Sequence, residues 1–240
     1  MAAVFHLAGE FGLDIVDDAA HACGAQYKNW RIGGEPMPIT AFSFHAVKNL
    51  TCGEGGMLVT NVDEIAERAR RLRWCGIDKS TWRRTEKGSH KYAWYYEVPE
   101  LGYKYHGNDI TSAIGLVQLD RLPQMNGRRR EIVTRYNGEF CRLDWLELPI
   151  EKRGMLSSWH AYVIKTDYRD RLNEHLQGCG VATGVHYMPI HQQPYYRDQG
   201  QPTLPVAEAQ WKRLMTLPLY PDMTNEDVAH VIESVRSFEP

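Results

Sequence analysis

The sequence predicts an α/β protein in two parts, and three observations carry that reading. A helical pattern runs directly into a short apolar stretch that ends in Asp17-Asp18. Two strand-like runs, 39–44 and 57–60, enclose a lysine and a glycine-rich turn and lead into an amphipathic helix. A further strand, helix and strand pattern follows beyond residue 160. At 240 residues the chain can bury a substantial core, as one large domain or two modest ones.

Taken in order, residues 2–11 place Val4, Phe5, Leu7, Ala8 and Phe11 at helical spacing before Gly12, a C-terminal stop signal. Leu13-Asp14-Ile15-Val16 reads as a short buried strand whose C-terminal end delivers Asp17 and Asp18, the end where α/β sheets place functional groups. The loop 33–38, rich in Gly and Pro, precedes the strand 39–44, and the strand 57–60 follows the turn Gly53-Glu54-Gly55-Gly56. Residues 63–74 form a helix with Ile65, Ala66, Ala69 and Leu72 on one stripe. Residues 76–100, with Trp82, Tyr92, Trp94, Tyr95 and Tyr96, show no period and read as a loop that packs on a partner.

From Asp109 a helical pattern through Ile110, Ala113, Ile114, Val117 and Leu122 runs on toward Tyr136, with a break or kink expected at Pro123. This helix divides the chain into domains at 1–125 and 126–240. In the second, 161–165 is a strand, 168–176 a helix closed by Gly178 or Gly180, and 181–187 another strand. Thr224-Asn225-Glu226-Asp227 opens a last helix in the manner of a capping box, with Val228, Val231, Ile232 and Val235 as its buried stripe.

Composition excludes several classes of function. A net charge of −2 gives no overall electrostatic footprint for nucleic acid or an anionic membrane, and Arg128-Arg129-Arg130 reads as a solvated helix face. No apolar run is long enough to span a bilayer, and no signal-peptide pattern opens the chain. Five scattered cysteines without C-x-x-C or zinc spacing suit a reduced, cytoplasmic setting. His186 and His191 have no carboxylate or cysteine beside them in sequence, so no metal site is expected.

The chemistry centres on Lys48. Held between a strand and a glycine turn, a lysine is a candidate Schiff-base nucleophile toward a carbonyl or pyridoxal phosphate. Ser43 offers a hydroxyl to a phosphate. Asp18 at a strand end suits a protonated pyridine nitrogen, with a helix N-cap as its structural alternative.

Val16-Asp17-Asp18-Ala19-Ala20-His21-Ala22-Cys23-Gly24-Ala25, then Phe42-Ser43-Phe44-His45 with Lys48, then Gly53-Glu54-Gly55-Gly56, resemble the DegT/DnrJ/EryC1/StrS sugar aminotransferases in order and spacing. Leu101-Gly102-Tyr103, Asn108-Asp109-Ile110, Gly184-Val185-His186-Tyr187 and Pro189-Ile190-His191 look like further blocks of that family. The resemblance implies a fold type I, aspartate-aminotransferase-like protein: 1–125 as the C-terminal part of a large cofactor domain, 126–240 as a small α/β domain. It implies pyridoxal 5'-phosphate held covalently by Lys48, with Asp18 at the pyridine nitrogen, His21 near the ring and Ser43 at the phosphate. His186 then faces the substrate, a nucleotide-linked keto sugar, with glutamate as amino donor and a homodimer as the assembly.

Two departures from the family pattern stand out. Lys104 occupies the position of an asparagine that reaches the neighbouring subunit's cofactor phosphate, and a lysine serves a phosphate as a point charge. Gly107 replaces a larger apolar residue. The family also carries a long segment ahead of the Asp18 block, with sheet strands and part of the phosphate cradle; without it, exposed apolar sheet surface is expected. Two further readings stay open: a catalytically inactive chain with an assembly role, and a sugar dehydratase, whose family branch has histidine in place of the lysine.

Overall fold

The computed structural model describes residues 1–78, 94–200 and 202–240. Trp82 and Tyr92 of the aromatic loop lie outside them. The chain divides into two compact units, Met1–Leu122 with Gly154–Leu156 and Pro123–Arg153 with Ser157–Pro240.

In the first unit, helix α1 (Ala2–Phe11) ends where Gly12 turns left-handed, φ 62°, and returns its N–H to Ala8. Strands β1 (Asp17–Asp18), β4 (Ile39–Ser43) and β5 (Gly56–Thr60) form one sheet in the order β1-β4-β5; β2 (Gln26–Tyr27), β3 (Trp30–Arg31) and β6 (Met155–Leu156) form a second, ordered β3-β2-β6. Strand β1 runs parallel to β4 with Asp17 opposite Thr40 and Asp18 opposite Ala41. The pairing of β4 with β5 is antiparallel over five residue pairs, from Ile39 with Thr60 to Ser43 with Gly56. Helix α2 (Asp63–Leu72) follows.

The expected buried strand at 13–16 is not there. With Asp17 opposite Thr40, Val16 is already level with the first residue of β4, so everything before it runs past the end of its partner. Unpaired backbone does not hold a strand, and Leu13 and Val16 are 62% and 65% exposed. Apolar exposure recurs through this unit: Val4, Leu7 and Phe11 of α1, Met57 and Leu58 of β5, and Ile110, Ile114 and Val117 are all exposed. The last three belong to α3 (Asp109–Phe140), a single 32-residue helix that carries Pro123 inside it.

The second unit holds a dense core. Strands β7 (Tyr162–Lys165) and β8 (Leu214–Leu217) pair antiparallel, Tyr162 with Leu217 through Lys165 with Leu214. Around them lie α4 (Arg169–Gly178), the short α5 (Pro194–Arg197), α6 (Pro205–Arg213) and α7 (Asn225–Arg236). Helix α7 begins with the capping box read from sequence: Thr224 accepts from the Asp227 N–H at 3.0 Å, and Asp227 accepts from the Thr224 N–H at 2.9 Å. Its stripe, Val228, Val231, Ile232 and Val235, is buried against Ile132, Tyr136, Leu172 and Leu176. Each such side chain contributes roughly 1.5–3 kcal/mol on leaving water.

No strand forms over 181–187; only Gly184 bridges to Thr216 of β8. Two residues along the antiparallel ladder, Pro218 has no N–H to donate, and its carbonyl accepts from the Tyr136 hydroxyl at 2.9 Å. The ladder therefore stops on the 181–183 side of the Gly184 bridge.

The three consecutive arginines are not a solvated face. Arg129 is 6% exposed, and its guanidinium donates to the carbonyls of Leu219 (2.7 Å), Trp159 and His160 (both 3.3 Å). Arg128 donates to the Met223 carbonyl at 2.8 Å, and Arg130 to that of Ser157 at 3.2 Å. Carbonyls at the ends of irregular segments lack ladder partners, and a planar fork of N–H donors satisfies several of them from one side chain. Arg129→Ala is expected to lower stability by at least about 2 kcal/mol, against less than about 0.5 kcal/mol for the exposed Arg142→Ala. Urea unfolding followed by tryptophan fluorescence measures both, and equal midpoints for the two variants would contradict this role.

Candidate functional site

Asp18 and Ser43 are set by strand register. Asp18 ends β1 opposite Ala41, and Ser43 ends β4 two residues beyond Ala41, so both emerge at the C-terminal edge of the parallel pair. The Ala19 N–H continues the pairing by donating to the Ala41 carbonyl at 2.9 Å. Asp18 is exposed and its carboxylate accepts from the Ala20 N–H at 3.1 Å, an Asx turn that orients the side chain and leaves the other oxygen open. His21 sits in the same turn, where Ala22 donates back to Ala19.

Beyond Ser43 the chain enters a closed loop. The Phe44 N–H donates to Gly55 at 2.8 Å while its carbonyl accepts from Cys52 N–H at 3.0 Å, and the Lys48 N–H donates to His45 at 3.0 Å. Lys48 is half-buried on this turn, and Asn49 and Leu50 behind it are buried. The glycines have a reason here: a Cβ on Gly56 would stand 2.7 Å from the Phe42 carbonyl oxygen, and Gly53 has φ +87°. Ser43 Oγ accepts from the His45 N–H at 3.4 Å, a long bond that a phosphate oxygen can replace.

Asp17 stands beside Asp18 on the same short strand. Its carboxyl is partly buried with Oδ2 lacking a hydrogen-bond partner, and burial followed by the adjacent Asp18 charge raises its pKa. Alternation along a strand turns neighbouring side chains to opposite faces, so Asp17 and Asp18 face different environments.

Lys104 is placed on a separate segment. Its ammonium lies 3.9 Å from the centroid of the Trp74 ring, and His106 meets the same ring edge-on at 4.0 Å. The segment is laced to the end of α2: Cys75 N–H donates to Tyr103 at 2.9 Å and Tyr105 N–H to Arg73 at 2.9 Å. Glu100 binds Arg71 at 2.7 Å and Arg68 at 3.1 Å, with the Arg71 bond first in holding its carboxyl below the usual range. The two backbones touch where Gly76 meets Gly102. A Cβ on Gly76 would stand 1.9 Å from the Glu100 oxygen, and one on Gly102 would stand 1.9 Å from the Gly76 nitrogen.

In the second unit His186 is exposed, with Nδ1 2.8 Å from the Thr216 hydroxyl. His191, with no carboxylate near it in sequence, acquires one in the fold: its Nε2 is 2.9 Å from Glu208 of α6. No group of three or more metal-ligating side chains occurs among the described residues. A cleft of about 470 Å³ is lined in part by Val181, Leu217, Met223 and Val231 and by the polar Asp227 and His230. Its apolar floor is already buried, so it offers a ligand little apolar surface.

Residues 1–236 match the DegT/DnrJ/EryC1/StrS aminotransferase family, and the chain belongs to it. An uncharacterized protein of Methanocaldococcus jannaschii, MJ1066, is 40% identical over 247 residues, covering 98% of this chain and 62% of that protein. S. venezuelae DesV, solved in complex with a ketimine intermediate, matches with a TM-score of 0.85 at 34% identity, covering 98% of this chain and 60% of that one. The aminotransferase TlmJ from Streptoalloteichus hindustanus matches at 0.82 and 32% identity, covering 97% and 60%. The fold is thus that of the fold type I, pyridoxal-phosphate-dependent sugar aminotransferases, over a chain that spans 60–62% of the length of these three relatives. No described helix is long and apolar enough to cross a membrane.

The side chains in the first unit fit the cofactor of such enzymes. A carboxylate, an amine and a hydroxyl stand on adjoining strand ends and the turn that follows, matching a pyridinium nitrogen, a carbonyl carbon and a phosphate.

Two outcomes follow from this geometry. Gly102→Ala forces the backbones apart at Gly76 and is expected to destabilise the first unit by about 2 kcal/mol or more, releasing Lys104 from Trp74; thermal unfolding and quenching of tryptophan fluorescence read the two effects. For Glu208, hydrogen bonding by His191 and then by the Leu204 N–H lowers the carboxyl pKa. Its contribution to stability is therefore present above the unfolded value of about 4.3 and lost as pH falls through the lower folded value. The stability gap between the native chain and Glu208→Gln is expected to close in acid; a gap constant from pH 7 to pH 3 would refute the assignment.

Proposed function

We propose that the protein is a pyridoxal-phosphate-dependent aminotransferase that moves an amino group from an amino acid, glutamate, to the keto group of a nucleotide-linked sugar. The observation that carries the reading is the shared strand edge of Asp18 and Ser43 with Lys48 on the turn beyond, in a chain of this family. In this reading 1–125 is the C-terminal part of the large cofactor-binding domain and 126–240 the small domain, with a homodimer as the working assembly.

When bound, pyridoxal phosphate supplies an electron sink for a carbanion beside the transferred nitrogen. Lys48 would hold the cofactor through its amine, and that amine, when free, would take a proton from the α-carbon of the amino donor and return one to the sugar carbon. Asp18 keeps the ring nitrogen protonated by pairing with it. Ser43 binds a phosphate oxygen, His21 flanks the ring, and Lys104 adds a positive charge for a phosphate. His186 faces the sugar nucleotide. In balance, the donor leaves as its 2-oxo acid and the keto sugar as the amino sugar. Lys48, in place of the dehydratase histidine, favours aminotransfer.

The protein mixed with pyridoxal phosphate is expected to show a borohydride-reducible absorbance that Lys48→Ala abolishes. Asp18→Asn is expected to keep the chromophore and to slow formation of 2-oxoglutarate from glutamate by about 100-fold or more. Well-folded protein with no reducible chromophore would rule the reading out for this chain.

A further inference from the structure

We infer that Thr216 is a positioning residue for His186, its hydroxyl, able to donate or accept, acting as the donor to Nδ1 and leaving Nε2 to carry the ring proton. Histidine presents either a donor or an acceptor at Nε2, and which one depends on the bond made by Nδ1. Here that bond is to Thr216 Oγ1 at 2.8 Å, and no other hydrogen bond to the ring occurs among the described residues. Thr216 is itself held in the sheet. It lies within β8 opposite Val163, donates its N–H to the Gly184 carbonyl at 2.7 Å and accepts from the Gly184 N–H at 3.1 Å. The imidazole is thus tied to the same backbone step that its own chain segment uses, two residues after Gly184.

Two further contacts close the ring's freedom. A Cβ at residue 184 would stand 3.0 Å from His186 Cε1, so glycine there lets the ring lie down on its own backbone. Tyr187 meets it edge-on, with centroids 4.7 Å apart and planes at 88°. An exposed histidine held on three sides is pre-organised, and the ordering cost a ligand otherwise meets is reduced. The remaining nitrogen, Nε2, has no partner among the described residues. As a donor it suits an oxygen acceptor, and under the proposed function that acceptor is a hydroxyl, keto or phosphate oxygen of the sugar nucleotide.

Long-range proton–nitrogen NMR on the labelled chain tests the assignment without any catalytic activity. The native protein is expected to show His186 Nδ1 in the unprotonated range and Nε2 in the protonated range. Thr216→Val, isosteric and compatible with a strand, is expected to mix the two tautomers, and Thr216→Ser to restore the native pattern. A native Nδ1–H tautomer, or an unchanged pattern in Thr216→Val, overturns the inference. In the aminotransfer assay, Thr216→Val is expected to raise KM for the sugar nucleotide about threefold to tenfold with kcat unchanged, and an unchanged KM overturns the substrate contact. Failure of the Lys48 chromophore test leaves the NMR result standing and removes only the identity of the acceptor.

Discussion

The candidate site depends on the register between β1 and β4. Strand β1 is only two residues long, yet its parallel pairing places Asp18 level with Ala41 and brings one carboxylate to the edge from which Ser43 and the Lys48 turn emerge. A slip of one residue would turn Asp17 to the Asp18 side and reverse the faces. That register is carried by the two β1–β4 pairs and the Ala19 N–H to Ala41 bond, while β4 itself is fixed by the five-pair ladder to β5 and the loop closed by Phe44, Gly55 and Cys52. The lysine turn and the aspartate are therefore held by one strand, and neither position is independent of the other.

The two units are stabilised in different ways. The second has one continuous apolar core from Ile132 to Phe238, with Arg129 satisfying carbonyls that no ladder reaches. The first has little comparable core: Ala19, Cys23, Met37, Leu50 and Cys52 are buried, while long apolar side chains on α1, β5 and the start of α3 face outward. Exposed apolar surface was the expectation drawn from the family resemblance, and it is found in the unit that carries the Asp18 block.

What could be read from sequence follows the range of the interactions. The Gly12 stop, the Thr224–Asp227 capping box and the strands flanking Lys48 are decided within a few residues, and each formed where the pattern placed it. Features decided at long range were not legible. The run 13–16 looks like a strand until the start of β4 is known, and 181–187 does until Pro218 is seen to close the ladder on its 181–183 side. Arg129 resembles any helical arginine until carbonyls 30 and 90 residues away are brought to it. The Thr216 partner of His186 and the Glu208 partner of His191 belong to the same class, separated by 30 and 17 residues.

The crossing of Gly76 and Gly102 bears on how this protein can vary. Because each glycine excludes a side chain at the other's backbone, a change at one cannot be offset by shrinking its partner, which has nothing left to remove. Drift by compensating pairs, common where two side chains meet, is closed to this position. The crossing fixes the path of the chain into Lys104, so the position of that basic group is set by backbone contact and not by the packing of its own side chain.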